Sequence, residues 1–282
     1  MTIRGLVTAA MVVAASGSAF AQAPAERGKY LVNTIMTCQN CHTPKGERGA
    51  PIFERDLGVG SIVWDEPPFK VTASNITQDK DTGIGNWSNA DIEKALRKGE
   101  RPNGVRLAAI MPSDFYEIIT PSDMSAIVAY LRTVKPVKAE TPAPVYRIAL
   151  PRHIPQGAEK PFTDADMADK VKKGFYLATI GHCFECHTPM GAKGRDFENS
   201  YGKGGFEFPG PWGKSVSRNI TSHKEKGIGA WSDDEIKRAI TQGVSRDGSR
   251  LKPPMGYEFY KNMTSDDLDA VVAYLRTVPA KE

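Results

Sequence analysis

Cys38-Gln39-Asn40-Cys41-His42 recurs as Cys183-Phe184-Glu185-Cys186-His187, 145 residues further along, and the two pentapeptides use all four cysteines of the chain. C-x-x-C-H is the pattern of c-type haem attachment. Each thiol forms a thioether with a haem vinyl group, and the adjacent histidine is placed beneath the iron. The spacing therefore predicts two covalently bound haem c groups, one on Cys38, Cys41 and His42, the other on Cys183, Cys186 and His187. Cys-x-x-Cys also serves zinc sites and redox disulfides. Two copies at matching places, an export signal and the lack of further cysteines speak against zinc. A dithiol redox site has no required role for the histidine.

The surroundings of the motifs repeat as well, which indicates a duplicated module. Gly28-Lys29-Tyr30-Leu31 matches Gly174-Phe175-Tyr176-Leu177, and Asn75-Ile76-Thr77 matches Asn219-Ile220-Thr221. Gly83-Ile84-Gly85 with Trp87-Ser88 matches Gly227-Ile228-Gly229 with Trp231-Ser232. The halves close on Ala129-Tyr130-Leu131-Arg132-Thr133-Val134 and Ala273-Tyr274-Leu275-Arg276-Thr277-Val278. The offset stays within 144 to 146 residues, so insertions between the copies are single residues. Between them, residues 135–162 contain six prolines, which remove backbone donors and disfavour helix. An extended linker is expected there. Its Val145-Tyr146-Arg147-Ile148-Ala149-Leu150 stretch is apolar enough to lie against a domain.

The amino terminus reads as an export signal. Arg4 is a short basic segment, residues 6–15 are an apolar run too short to span a bilayer, and Ala19-Phe20-Ala21 is a cleavage site. Residues 1–21 are thus predicted to be removed, and the mature chain is placed in the periplasm without a transmembrane span. The formal charge of the whole chain is +4, from 37 basic and 33 acidic residues. This is no signature of a nucleic-acid binder, but it leaves room for charged patches that dock a redox partner.

Within each copy the pattern predicts helices joined by long loops. Thr163-x-x-Asp166 is expected to cap a helix running toward Ile180, and Ser88-x-x-Asp91 and Ser232-x-x-Glu235 read as capping boxes. Gly99 and Gly243 are the expected stops. Thr120-Pro121-x-Asp123 and Thr264-x-x-Asp267 start the last helices. Gly28 and Gly174 fall inside the first helices, where a close crossing by the last helices is a reason to tolerate them. A haem supplies the apolar body around which the long loops pack.

His42 and His187 are the proximal ligands by position, and the other nitrogen of each ring is expected to donate to a backbone carbonyl. The sixth ligand comes from the opposite face. Met111 lies 69 residues after His42 and Met255 68 residues after His187, both in proline-stiffened loops before the last helix. They align with each other, whereas Met36, Met124, Met190 and Met263 have no matching partner or lie on the wrong side. His223 is the substitute if Met255 is core filler. His182 reads as a surface residue. Methionine–histidine ligation raises the reduction potential and leaves no position open for substrate, so no catalytic residue is assigned. Trp87 and Trp231 are expected to pack rather than to conduct electrons. The Lys170, Lys172 and Lys173 run reads as a docking patch or a solvated helix face.

With these residues in view, the chain resembles the diheme cytochromes c, and within them the cytochrome c subunits of membrane-associated alcohol and gluconate dehydrogenases. The likeness rests on Cys-x-x-Cys-His-Thr-Pro, Asn-Ile-Thr, Gly-Ile-Gly-x-Trp-Ser, the later methionine and Ala-Tyr-Leu-Arg. It implies an all-α fold of two tandem cytochrome c-type domains, residues 22–134 and 163–282, each a few helices around one haem. It also implies single-electron passage from a partner dehydrogenase toward a cytochrome, quinone or terminal oxidase. Those subunits commonly carry three haems and this chain has two attachment motifs, so a soluble shuttle or smaller dehydrogenase subunit is expected. The competing readings are a haem enzyme, such as a diheme peroxidase or thiosulfate oxidoreductase with one labile distal ligand, and an obligate subunit that works only in a complex.

Overall fold

The structure is a computed structural model and describes residues 23–46, 51–52, 57–149, 151–192, 194–210 and 212–282. The expected export signal, residues 1–21, lies outside them.

Each repeat is built on a crossing of its first and last helices. In the first, α1 (Pro24–Tyr30) runs on into a π-helical turn, Leu31–Ile35, and crosses α3 (Pro121–Leu131). In the second, α4 (Lys170–Ile180) crosses α7 (Ser265–Leu275) in the same way. The expected reason for the two glycines holds. A Cβ on Gly28 would lie 1.9 Å from the Ala126 carbonyl oxygen, and one on Gly174 would lie 1.9 Å from that of Ala270. The backbones touch there, and only hydrogen fits between them.

The middle helices, α2 (Asn89–Lys98) and α6 (Asp233–Gln242), start and stop where the sequence places them. Ser88 and Asp91 form a full capping box, as do Ser232 and Glu235. Gly99 (φ 61°) and Gly243 (φ 64°) end them in the left-handed region that glycine occupies without a steric penalty. At the last helices, the Thr120 and Thr264 side chains accept from the backbone N–H of Asp123 and Asp267. The Thr163 prediction needs correction. Thr163 and Asp166 do bond, but only a 3₁₀ turn, Asp166–Ala168, follows them, and its cap position, Ala165, makes no side-chain bond. Helix α4 begins later, with Asp169 as its cap.

The expectation of an all-α chain is overturned. β1 (Val63–Glu66) and β2 (Phe69–Thr72) form an antiparallel hairpin, and β3 (Val145–Tyr146) adds to its β2 edge. A shorter pair, β4 (Met190–Gly191) and β5 (Gly194–Arg195), follows the second cysteine motif. β6 (Glu207–Gly210) and β7 (Gly213–Val216) repeat the hairpin in the second module. The cause is local. Phe69 and Val71 are buried while Lys70 between them is exposed, and that period of two pins a strand rather than a helix. Gly213 at φ 85° supplies the turn of the second hairpin.

Residues 135–162 lie against the first repeat. Besides β3, Arg147 donates to Asp65, Arg152 donates to Asp114 and Glu117, and the Phe162 N–H reaches the Ile118 carbonyl. The main core is likewise shared. It joins Leu31, Ile35, Met36, Tyr116 and Ile127 of one half to Tyr176, Leu177, Ile180, Phe184 and Val271 of the other.

Candidate functional site

The two cysteine motifs sit directly after the first helix of each repeat. Cys38 opens a 3₁₀ turn, Cys38–Asn40, and Cys183 opens the one-turn helix α5 (Cys183–Cys186). All four cysteines are unpaired thiols. They line one continuous cavity of about 2490 Å³, together with His42, His187, Met111 and Met255. A single small-ligand pocket holds roughly 300–1,000 Å³, so this space suits two large planar groups better than one metabolite.

Both histidines meet the expected carbonyl. His42 Nδ1 lies 2.8 Å from the Ser74 oxygen and His187 Nδ1 lies 2.6 Å from the Arg218 oxygen. A carbonyl only accepts, so Nδ1 carries the proton and Nε2 keeps its lone pair. Both rings are half-buried at the cavity wall. Burial lowers their pKa values, partly opposed by the carbonyl bonds, so the neutral, ligating form prevails. Burial also pushes the Cys38 and Cys183 thiols up to about 12. An uncharged thioether belongs in such a place; a thiolate does not.

The carbonyls at Ser74 and Arg218 were not legible as site groups, although each directly precedes a repeated Asn-Ile-Thr. The asparagine clamps its loop. Asn75 accepts from the Thr77 N–H and donates to the Val137 and Ala139 carbonyls; Asn219 accepts from the Thr221 N–H and donates to Lys281. Asn75 is only 4% exposed, which suits a structural clamp and not a glycan acceptor. The other repeated pair is also explained. Arg132 donates to the Trp87 carbonyl and Arg276 to the Trp231 carbonyl, so the last helix braces the Gly-Ile-Gly-x-Trp-Ser loop. The tryptophan rings pack against the core, as expected.

Met111 and Met255 both lie in the loop between the middle and last helices and face the cavity. Met36, Met190 and Met263 line the same cavity, with Met36 and Met124 at 1% and 2% exposure and Met190 at 57%, so it is the match between the repeats, not contact with the cavity, that singles out Met111 and Met255. His223 has its Nδ1 taken by the N–H groups of Glu225 and Lys226, which leaves it a loop residue. His182 is not at the surface. Its Nε2 reaches the Met36 carbonyl at 3.0 Å, and its ring meets Tyr116. The basic run is largely absorbed: Lys172 pairs with Asp166 and Lys173 with Asp267. Among the described residues, no three His, Cys, Asp or Glu side chains gather closely enough to hold a metal ion. The donor set fits haem c: paired thiols, an oriented imidazole and a thioether around apolar space.

A family model described as Cytochrome c matches residues 25–135 and 168–279. The fructose dehydrogenase cytochrome subunit of Gluconobacter japonicus is 32% identical, over 90% of this chain and 52% of its own length. The gluconate 2-dehydrogenase cytochrome c subunit of Pantoea cypripedii is 29% identical, over 91% of this chain and 60% of its own length. A protein named diheme cytochrome c-type, from Cereibacter sphaeroides, is 30% identical over 87% of this chain and 83% of its own length. The chain thus spans only 52% to 60% of those two dehydrogenase subunits. Two matched segments, one around each cysteine motif, place the chain in the cytochrome c family.

Proposed function

We propose that this chain is a periplasmic diheme electron carrier, the electron-transfer partner or subunit of a dehydrogenase. Two modules, residues 22–134 and 163–282, joined by the segment 135–162, each hold one haem c. Cys38 and Cys41 would carry the first haem, with His42 and Met111 holding its iron. Cys183 and Cys186 would carry the second, with His187 and Met255. A haem of this kind supplies a one-electron couple. The protein's part is to hold it: the Ser74 and Arg218 carbonyls fix the imidazoles, and the capped loops present the methionines.

The observation that carries this reading is the repetition of the whole site. Each module places its thiols, its carbonyl-braced imidazole and its methionine on the same apolar cavity. With a methionine and a histidine holding each iron, no position would be left for substrate, so no catalytic residue is assigned to the chain, and electrons would arrive from a dehydrogenase and leave to a cytochrome, quinone or terminal oxidase. Among the described residues, no helix is long and apolar enough to cross a membrane.

The test is spectroscopic. The exported protein is expected to carry two covalent haems per chain by mass, and the reduced form is expected not to bind carbon monoxide. An apoprotein mass overturns the cofactor assignment. Rapid carbon monoxide binding at either haem moves the protein toward the haem enzymes. Size exclusion of native extract with haem staining separates a free carrier from a dehydrogenase subunit.

A further inference from the structure

Thr37 (φ 49°) and His182 (φ 43°) are the non-glycine residues that adopt positive φ among the described residues. Each stands immediately before the first cysteine of its motif. A left-handed backbone at a non-glycine residue persists only where its surroundings hold it, and such residues cluster at functional sites. The two turns also lie beside each other. A Cβ on Gly181 would be 3.3 Å from the Ile35 carbonyl oxygen, so the strands of chain entering the two motifs pack backbone to backbone.

We propose that His182 is a positioning residue that sets the spacing of the two haems, by donating from its ring to the backbone carbonyl of Met36. The proposal rests on the diheme reading above. Met36 lies two residues before Cys38, and His182 lies directly before Cys183. The bond, 3.0 Å from Nε2 to oxygen, therefore ties one attachment segment to the other with almost no intervening chain. The carbonyl can only accept, so Nε2 carries the proton. Tyr116, 1% exposed, covers the ring at 6.2 Å between centroids, and the Tyr260 hydroxyl holds the neighbouring Gly181 carbonyl at 3.0 Å. The ring is thus locked from several sides, which is what a site needs when an ångström of slack changes its output. Thr37, the matching residue in the first module, has no ring to send across, so the tie is made from one side.

The test uses the full haem-loaded protein and two variants of similar length and bulk, His182→Gln and His182→Met. Gln carries a donor that reaches the same carbonyl; Met does not. Three readouts are taken: covalent haem per chain, the bisignate circular dichroism of the Soret band, and the separation of the two waves in a redox titration. The native protein and the Gln variant are expected to share a bisignate band and the same wave separation. The Met variant is expected to keep two haems and lose at least half of the band amplitude, with a changed separation. A Met variant identical to the native protein overturns the proposal, as does a native protein without a bisignate band. Loss of haem from either variant assigns His182 to attachment instead of spacing, and overturns it too. Failure of the diheme reading is distinct: the native protein itself would then hold fewer than two haems.

Discussion

The Tyr30 hydroxyl donates to the Asp267 carboxylate at 2.8 Å, across the interface between the two repeats. The matching tyrosine returns the bond: Tyr176 donates to Asp123 at 2.7 Å. Each module lends the other a carboxylate from the first turn of its last helix. Arg27 lies between them, forked onto Asp123 at 2.9 and 3.0 Å and 3.8 Å from Asp267, and its counterpart Lys173 also pairs with Asp267. The result is a nearly two-fold symmetric polar knot over a shared apolar core.

Such a knot is costly to break from one side. Asp123→Ala leaves the half-buried Arg27 cation without its fork and Tyr176 without its acceptor. Removing one partner of a buried pair costs about 3–5 kcal/mol. Tyr30→Phe removes a bond to a charged group and costs about 1.5–3 kcal/mol. Urea unfolding followed in the far ultraviolet measures both. If Asp123→Ala shifts the midpoint by less than Tyr30→Phe does, the knot does not hold the modules together.

The same bond predicts an alkaline limit. Burial, then the Asp267 charge, push Tyr30 up to about 12 from its ordinary 10.0. The folded state therefore keeps the phenol proton longer than the unfolded chain does. Its contribution to stability is fully present below pH 10 and is lost as the pH rises toward about 12. Denaturant midpoints measured between pH 9 and about pH 12 should fall in the native protein. The fall should be smaller in Tyr30→Phe, which has no phenol to titrate at that position. Equal falls in the two proteins exclude Tyr30 as a source.

Much of this was written in local sequence, and the rest depends on chain segments meeting across space. Ser88, Asp91, Gly99 and their repeats declare their helix because a cap is satisfied within four residues. The cysteine motifs declare a cofactor for the same reason. Thr120 and Thr264 also read correctly as caps, but nothing near Asp123 and Asp267 says that their carboxylates accept from tyrosines 53 and 237 residues away. The hairpins were missed for a different cause. Four-residue strands interrupted by prolines and glycines give a period-two signal over Phe69-Lys70-Val71 that is brief beside the helical one. His182 misled because polarity suggests the surface, whereas one acceptor at Met36 suffices to bring a neutral imidazole inside.

The helix crossings give a sharp packing test. In an unconstrained helix, Gly→Ala gains about 1 kcal/mol of propensity. At Gly28 and Gly174 the new methyl meets a carbonyl oxygen at 1.9 Å, and Tyr130 Cβ or Tyr274 Cβ at 2.9 or 2.7 Å. No rotamer relieves a clash at Cβ, so the helices must part. Overpacking of this kind costs about 1–3 kcal/mol. At about 2–4 °C per kcal/mol for a chain of this size, each variant should melt several degrees lower. Equal or higher melting temperatures by differential scanning calorimetry would show that the crossing relaxes freely.

The two methionines proposed as ligands, Met111 and Met255, permit the most direct test of the site. Met111→Ala and Met255→Ala each remove one thioether from the cavity wall without touching a cysteine, a histidine or the bracing carbonyls. Each variant should retain both covalent haems and convert only one of them to a high-spin form, visible in the optical and paramagnetic resonance spectra. The potential of that haem should fall, because thioether ligation favours the reduced iron, while the other haem keeps its low-spin signature. The double variant should lose both. Stability separates a ligand from a core methionine: Met124→Ala, deep in the packing at 2% exposure, should cost about 2–5 kcal/mol and leave both spectra low-spin. If Met255→Ala behaves like Met124→Ala, the second iron takes its sixth ligand from elsewhere. His223, whose Nδ1 is already engaged by two backbone donors, would then have to leave its loop to provide it, and His223→Ala in the Met255→Ala background would reveal that by a further change in spin state.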